Sequence, residues 1–301
     1  MKKRILFGLV MIVALAALFY LDYRLEGLVS PAPDQPVRLG ETLSRLLPGL
    51  PLALLVLLLI VVAVEEMARL AQSAGIKLLT VSALAGSAML GTLPYWWRMT
   101  RDWRPHGQDV LPVLGFVVLV VFAEQMVRYR VEDAFRRVAA TLLTVLYLGV
   151  GSACILVLRI EYGLAVLLVF LLAVKFTDIG AYFTGVLAGR HKLIPWLSPG
   201  KTWEGLVGGI VFAMGAAVAW ACWVPMSLRE HPVQLWQAAV FGLVMALAGQ
   251  FADLCESLLK RSAEMKDSGR LVPGFGGLLD ILDSPLLAAP VALMLLRAVY
   301  G

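Results

Sequence analysis

The sequence predicts an all-α integral membrane protein with about nine transmembrane helices and a cytoplasmic N-terminus. Three observations predict this fold class. Sixty per cent of the 301 residues are hydrophobic and only 16% are charged, whereas soluble domains carry about 25% charged residues. Apolar runs of about 20 residues, the length a helix needs to cross the hydrocarbon core, recur along the chain. These runs lack the segments of about ten residues with alternating apolar and polar positions that are typical of membrane β-barrels.

The predicted spans follow one another along the whole chain. They are centred on residues 5–21, 46–64, 78–96, 109–125, 138–158, 163–186, 205–225, 235–255 and 281–300. The first run follows Met1-Lys2-Lys3-Arg4, and its length and the lack of a small-residue cleavage site favour a retained helix over a cleaved signal peptide.

The distribution of basic residues predicts the orientation in the inner (cytoplasmic) membrane of the cell. With the N-terminus inside, most of the 26 Lys and Arg residues fall in inner loops, as the positive-inside rule expects. The loop that contains Arg98, Arg101 and Arg104 is an exception. The net charge of +5 therefore indicates contact with anionic lipid headgroups. The sequence contains no basic run with interleaved aromatic residues, so no nucleic-acid partner is expected.

Polar residues divide the chain into two predicted domains. Residues 1–160 form an N-terminal domain of about five spans, and residues 161–301 form a C-terminal catalytic domain of about four spans. Ionisable groups at membrane depth cost at least ~2.5 kcal/mol each, so they persist where they face a cavity, a partner or an ion. Because the first five spans hold few polar groups and charged residues enter the spans from about Gly163 onward, function is expected in the second domain. The three cysteines and three histidines are scattered, which favours packing over a zinc site.

The first group of candidate residues lies between positions 175 and 205. Lys175 and Asp178 are three residues apart, so on a helix they share a face and can pair. The segment Ser198-Pro199-Gly200-Lys201-Thr202 is expected to form a turn and then the cap of the next span, with Lys201 beside free N–H groups that suit a phosphate. A P-loop is excluded because Pro195 occupies the position of its first glycine.

The strongest block extends from Asp253 to Ser284. Asp253 and Glu256 share one helical face, a glycine-rich loop follows, and Asp280 and Asp283 share a face where the last span begins. Four carboxylates at two helix ends repel one another unless cations intervene, and hard oxygen ligands suit Mg²⁺ that also contacts substrate phosphates. The nearby lysines and arginines are the expected phosphate ligands.

This block resembles the signature of the phosphatidate cytidylyltransferase (CDP-diacylglycerol synthase) family. The matching residues are Ser257-Leu258-Leu259-Lys260-Arg261, Lys266-Asp267-Ser268-Gly269, Pro273-Gly274, Gly276-Gly277, Asp280 and Asp283, preceded in the same order by Asp178-x-Gly-Ala-Tyr, Gly-Arg-His-Lys and Ser-Pro-x-Lys-Thr-Trp-Glu-Gly. The resemblance covers about residues 175–285. Phe275, Ile281 and Gly200 replace the histidine, arginine and lysine that are usual in the family, which leaves the rate, pH dependence and substrate choice open.

The resemblance implies transfer of CMP from CTP to phosphatidate, giving CDP-diacylglycerol and pyrophosphate. It supports Asp253 and Asp280 as ligands of one or two Mg²⁺ ions, with a monovalent cation as an alternative for the second. The candidate catalytic residues are Asp253, Lys260, Lys266, Asp267, Asp280 and Asp283. The candidate substrate-binding residues are Asp178, Arg190, Ser198, Lys201, Thr202, Glu256, Ser257, Arg261, Gly274, Gly276 and Gly277.

Two other functions compete with this prediction. A transporter also places paired charges in its spans, but it predicts two related halves, and this chain is asymmetric. Another membrane lipid enzyme that uses CTP or transfers phosphate, such as a polyprenol kinase, is the second rival. A CDP-alcohol phosphotransferase would need an Asp-Gly-x-x-Ala-Arg run, which the sequence lacks. The expected partners are CTP, phosphatidate and the lipid bilayer, and the sequence leaves the oligomeric state open, a homodimer included.

Overall fold

The computed structural model describes residues 2–29, 46–98, 110–224, 226–228, 231–269 and 276–300, and it confirms the all-α class. A π-helical turn, Leu146–Val150, joins the fifth helix to the sixth. The helices are α1 Lys2–Val29, α2 Leu50–Ser73, α3 Thr80–Arg98, α4 Val110–Arg128, α5 Ala134–Val145, α6 Gly151–Ala188, α7 Trp203–Trp223, α8 Leu235–Ser262 and α9 Leu279–Tyr300. The strands are β1 Lys192–Ile194, β2 Ser198–Thr202, β3 Ser227–Leu228 and β4 His231–Pro232.

Long apolar helices carry the membrane assignment. Among the described residues, seven segments are long and apolar enough to cross a membrane. Several of them expose large apolar side chains that suit contact with lipid, including Leu58, Leu119 and Phe251. The predicted number of nine spans is not confirmed.

Two regions account for the difference between the nine predicted spans and the seven segments in the structure. Helix α3 is not one of the seven segments, since it is rich in small and weakly polar residues, and Ser82, Gly86 and Ser87 are buried in it. Such residues suit close helix packing. The segment Ala134–Ala188 is a single continuous stretch of 55 residues, although it contains two predicted spans. Within it, Gly163 (φ 83°) interrupts α6, because a positive φ is incompatible with a continuing α-helix.

The chain forms two compact units. The first comprises Met1–Ile160 and Asp267–Asp280. Its core is a cluster of aliphatic residues from α3, α4 and α5 and from the loop that precedes α3. These residues are Leu79, Leu90, Val117, Val121, Val138 and Val145. In the same unit, Gly49 (φ 81°) and Pro51 in the first turn begin α2, as their backbone preferences favour.

The second unit comprises Glu161–Lys266 and Ile281–Gly301. Small residues let its helices approach closely, as expected in membranes. A Cβ atom at Gly180 of α6 would come within 2.8 Å of the Gly208 carbonyl oxygen of α7, and one at Gly242 of α8 would come within 2.7 Å of the Ala213 carbonyl oxygen. A capping box formed by Gln234 and Gln237 begins α8.

Two short antiparallel hairpins, β1–β2 and β3–β4, are also present in the second unit. The prediction of a turn at Ser198-Pro199 is wrong, because both residues lie in β2. The turn comes earlier, and the Leu197 N–H donates to the Ile194 carbonyl in it. Pairing with β1 explains the extended backbone of β2, since Lys192 lies opposite Thr202 in the register.

Candidate active site

Three carboxylates of the second unit form the candidate active site. Asp253 and Glu256 lie one helical turn apart on α8, and Asp283 lies near the start of α9. One oxygen from each lies within 4.8 Å of the others. Glu256 and Asp283 are buried, whereas the side chain of Asp253 is 32% exposed. We call these three residues the acidic cluster.

Two lysines neutralise part of the acidic cluster. Lys201 Nζ lies 2.6 Å from Asp253 Oδ2 and also donates to the Gln250 carbonyl oxygen at 3.3 Å. Lys260 Nζ lies 2.5 Å from Glu256 Oε2 across one turn of α8. Both lysines are mostly buried, so their charges act in an environment that screens them less than water does.

Asp283 is held differently from the other two carboxylates. Its Oδ1 atom accepts hydrogen bonds from the backbone N–H of Ser284 at 2.6 Å and from the Ser284 hydroxyl at 3.2 Å. These bonds fix the rotamer of Asp283 from within α9. The acidic cluster therefore has the residue types and spacing that suit a hard divalent cation.

Lys175 and Asp178 of α6 form the predicted pair. Lys175 Nζ lies 3.7 Å from Asp178 Oδ2, and both side chains are about 40% exposed. Lys175 also donates to the Ile281 carbonyl oxygen at 2.9 Å. The prediction that these two residues share a face and pair is confirmed, and the Ile281 contact ties α6 to the start of α9.

The hairpin β1–β2 positions Lys201 and the start of α7. Thr202 is the N-cap of α7, as predicted, and its Oγ1 accepts from the Gly205 N–H at 3.1 Å. The Glu204 carboxylate accepts from the backbone N–H groups of Arg190 and His191. Lys201 contacts Asp253, and the expected phosphate site at the N-terminus of α7 stays a prediction.

The remaining candidates of the second unit are Arg190, Ser198, Ser257, Arg261 and Lys266. Arg261 Nε donates to the Leu197 carbonyl oxygen at 3.4 Å. Arg190 and Lys266 are exposed, whereas Ser198 and Ser257 are partly buried. Their predicted contacts with substrate remain predictions.

The first unit contains the other half of the sequence block. Asp280 Oδ2 accepts from the Gly277 N–H at 2.7 Å, and both carboxylate oxygens accept from the Ser268 N–H at 3.2 Å. Asp280 thus joins the segments before and after the glycine-rich loop, and its role as a Mg²⁺ ligand stays a prediction. Asp267 is exposed in the same segment. Gly274 and Phe275 lie outside the described residues.

Sequence reasoning missed Glu66 of α2, which also contacts this segment. Its carboxylate accepts from the Leu278 N–H at 2.9 Å, from the Leu279 N–H at 2.8 Å and from the Ser268 hydroxyl at 3.2 Å. The one signal in the sequence was an acidic residue at the end of an apolar run, which is costly without a partner. Its partners lie more than 200 positions away, so no local pattern could identify them.

Comparison with known proteins agrees with the resemblance seen in the sequence. The model of the cytidylyltransferase family matches residues 42–299. A phosphatidate cytidylyltransferase of Staphylococcus haemolyticus is 33% identical over 254 residues, which is 83% of this chain and 92% of that protein. Proteins of the same name from Staphylococcus saprophyticus and Staphylococcus aureus are 36% and 37% identical over 186 residues, which is 62% of this chain and 68% of each.

Proposed function

Because this chain belongs to the cytidylyltransferase family, we propose that it is a phosphatidate cytidylyltransferase. It transfers the cytidylyl group of CTP to phosphatidate and produces CDP-diacylglycerol and pyrophosphate. The observation that carries this proposal is the acidic cluster with Lys201 and Lys260 on its carboxylates. Similar proteins that bear the enzyme's name support the choice of substrate.

The proposed cofactor is Mg²⁺. Asp253, Glu256 and Asp283 supply close, hard oxygen atoms, which is the ligand type that Mg²⁺ prefers. Asp280 remains a further candidate ligand from the sequence. When bound, Mg²⁺ neutralises charge on the triphosphate and makes the α-phosphorus more electrophilic.

The proposed reaction does not need a strong general base. A phosphate oxygen of phosphatidate attacks the α-phosphorus of CTP, the bond to the β-phosphate oxygen breaks, and pyrophosphate leaves. The attacking phosphate is already anionic near neutral pH, so the motif histidine that Phe275 replaces is dispensable for activating it. Lys201 and Lys260 lower the repulsion between the two anionic substrates, which is the main barrier in phosphoryl transfer.

The active site is proposed to face the cytoplasm, where CTP is found. The acidic cluster lies toward the C-terminal end of α8 and the N-terminal end of α9, next to the basic loop that the positive-inside rule assigns to the inner side. The native cysteines Cys154, Cys222 and Cys255 are first replaced by serine, since Cys222 is exposed. In that background, a cysteine introduced at Lys192 of β1 should react with a membrane-impermeant maleimide in inverted vesicles and not in intact cells. Labelling in intact cells would contradict this orientation.

Labelled CTP distinguishes the proposal from its rivals. Purified protein in detergent with Mg²⁺, phosphatidate and CTP labelled at the α-phosphate should yield labelled lipid, whereas label at the γ-phosphate should appear in pyrophosphate. Label transferred from the γ-phosphate to an added polyprenol would identify a kinase instead. The variant Asp253→Asn is the matched negative control, and wild-type protein that transfers no label to phosphatidate would contradict the proposal.

A further inference from the structure

We infer that Glu66 is a positioning residue for the reaction, because it holds the segment of the first unit that carries Asp280. This inference rests on the proposed function. Glu66 lies on α2, more than 200 positions from the segment it contacts, and outside every motif of the sequence block. Its side chain is buried, with 1% of the residue exposed.

The hydrogen bonds of Glu66 go to two segments that flank the glycine-rich loop. One carboxylate oxygen accepts from Leu278 N–H, and the other accepts from Leu279 N–H and the Ser268 hydroxyl. The two backbone donors lie at the start of α9, where N–H groups have no partner within the helix. A carboxylate satisfies them well, since the positive end of the helix dipole also favours its charge.

Asp280 also binds the segments on both sides of the glycine-rich loop. It accepts from Ser268 N–H and from Gly277 N–H, while Glu66 accepts from the Ser268 hydroxyl and from the two residues after Gly277. Both carboxylates thus bind the ends of the glycine-rich loop. Displacing Glu66 removes bonds at Leu278 and Leu279, directly before Asp280, and so changes where that carboxylate lies.

Glu66 lies close to two motif glycines, Gly269 and Gly277, and Ser268 Oγ would lie closer still to a Cβ atom built on Gly277. A Cβ atom at Gly269 would lie 2.5 Å from Glu66 Oε1, and one at Gly277 would lie 2.6 Å from Glu66 Oε2. Any larger residue would collide with the buried carboxylate. The predicted substrate contact of Gly277 stays a prediction, and the crowding by Glu66 is a separate reason for glycine at these two positions.

The test compares Glu66→Gln with Glu65→Gln. Glutamine keeps the shape of Glu66, but its amide NH₂ group replaces an acceptor with a donor that faces backbone N–H groups. Glu65 is the adjacent residue, its side chain is 66% exposed, and it pairs with Arg69 across one turn, so its variant controls for the loss of a charge from α2. Both variants are purified in the same detergent and compared with wild type.

We expect Glu66→Gln to lower kcat about 10- to 100-fold and to raise the Mg²⁺ concentration for half-maximal activity, as is usual when a group that orients a metal ligand is lost. Glu65→Gln should match wild type in both. The second readout separates positioning from simple instability, because a fraction of unfolded enzyme lowers kcat without changing the Mg²⁺ dependence. Activity that falls only in proportion to folded protein, with unchanged Mg²⁺ dependence, would overturn the inference.

Hydrogen exchange provides a readout that does not depend on catalysis. Peptides that cover residues 276–282 should exchange about tenfold faster in Glu66→Gln, the size expected for one lost hydrogen bond, and at the wild-type rate in Glu65→Gln. Ser268→Ala removes only the hydroxyl contact and should have a smaller effect. If wild-type protein made no CDP-diacylglycerol while exchange still responded to Glu66→Gln, the proposed function would fail and the contact itself would stand. Unchanged exchange would remove the basis of the inference.

Discussion

Buried charges are arranged in opposite ways in two regions of this protein. In the first unit, Asp22 and Arg159 are almost fully buried and paired, and Arg159 also contacts Glu26 at 2.9 Å. Asp22 accepts a further hydrogen bond from the Gly49 N–H at 2.7 Å. In the second unit, the acidic cluster brings three carboxylates together, and lysines contact two of them.

The difference teaches which charges support the fold and which are available for chemistry. A buried aspartate whose oxygens are taken by an arginine and a backbone N–H group has little capacity left to bind a ligand. Three carboxylates within 4.8 Å repel one another, and a divalent cation relieves that repulsion. The first region is therefore expected to govern stability and the second to govern catalysis.

The largest expected effect is on the stability of the first region. Arg159→Met removes the cation and leaves Asp22 buried without its charge partner, which should cost about 3–5 kcal/mol. Thermal unfolding in detergent measures it. Arg69→Met is the control, since the Arg69–Glu65 pair is exposed and such pairs contribute about 0–1 kcal/mol. Equal loss of stability in both variants would contradict the structural role of Asp22 and Arg159.

The next effect should appear in catalysis with the fold preserved. Asp283→Asn should lower kcat by more than about 100-fold, beyond the usual range for groups that only support a metal ligand. Its melting temperature should stay equal or rise, because one of three mutually repelling carboxylates is neutralised. Radiolabelled CTP turnover and thermal unfolding are measured on the same preparation. Normal turnover would show that the acidic cluster does not hold the cation.

A smaller effect is expected at Thr202, where the structural role as a helix cap can be separated from the predicted contact with substrate. Thr202→Ala should destabilise α7 by about 1 kcal/mol, the usual cost of losing a helix N-cap. Thr202→Ser keeps the hydroxyl and should restore stability, as thermal unfolding will show. If both variants also bind CTP as wild type does, Thr202 is a cap only. If the alanine variant is fully folded in the assay and it alone has a raised KM for CTP, the predicted contact of Thr202 with substrate is supported.

The sequence predicted contacts within one helix better than contacts between distant segments. It predicted the Lys175–Asp178 pair, the Thr202 cap and the shared face of Asp253 and Glu256 because each depends on spacing within one helix or at its first turn. It placed a turn at Ser198-Pro199, where the structure has a strand, because pairing with β1 overrides the local preference. The contact of Lys201 with Asp253 was also missed, since 52 positions separate them.

By itself, the sequence determined the membrane class, the helical content and the acidic residues of the block from Asp253 to Ser284. Hydrophobicity, helix periodicity and motif spacing are local properties of a chain. Only the tertiary structure decided that Asp283 joins Asp253 and Glu256, that Asp280 binds the Ser268 backbone, and that Glu66 accepts hydrogen bonds at the start of α9. Each of these contacts joins segments that are distant in sequence or separated by a loop. Packing brings them together, and no pattern along one segment specifies the partner that packing provides.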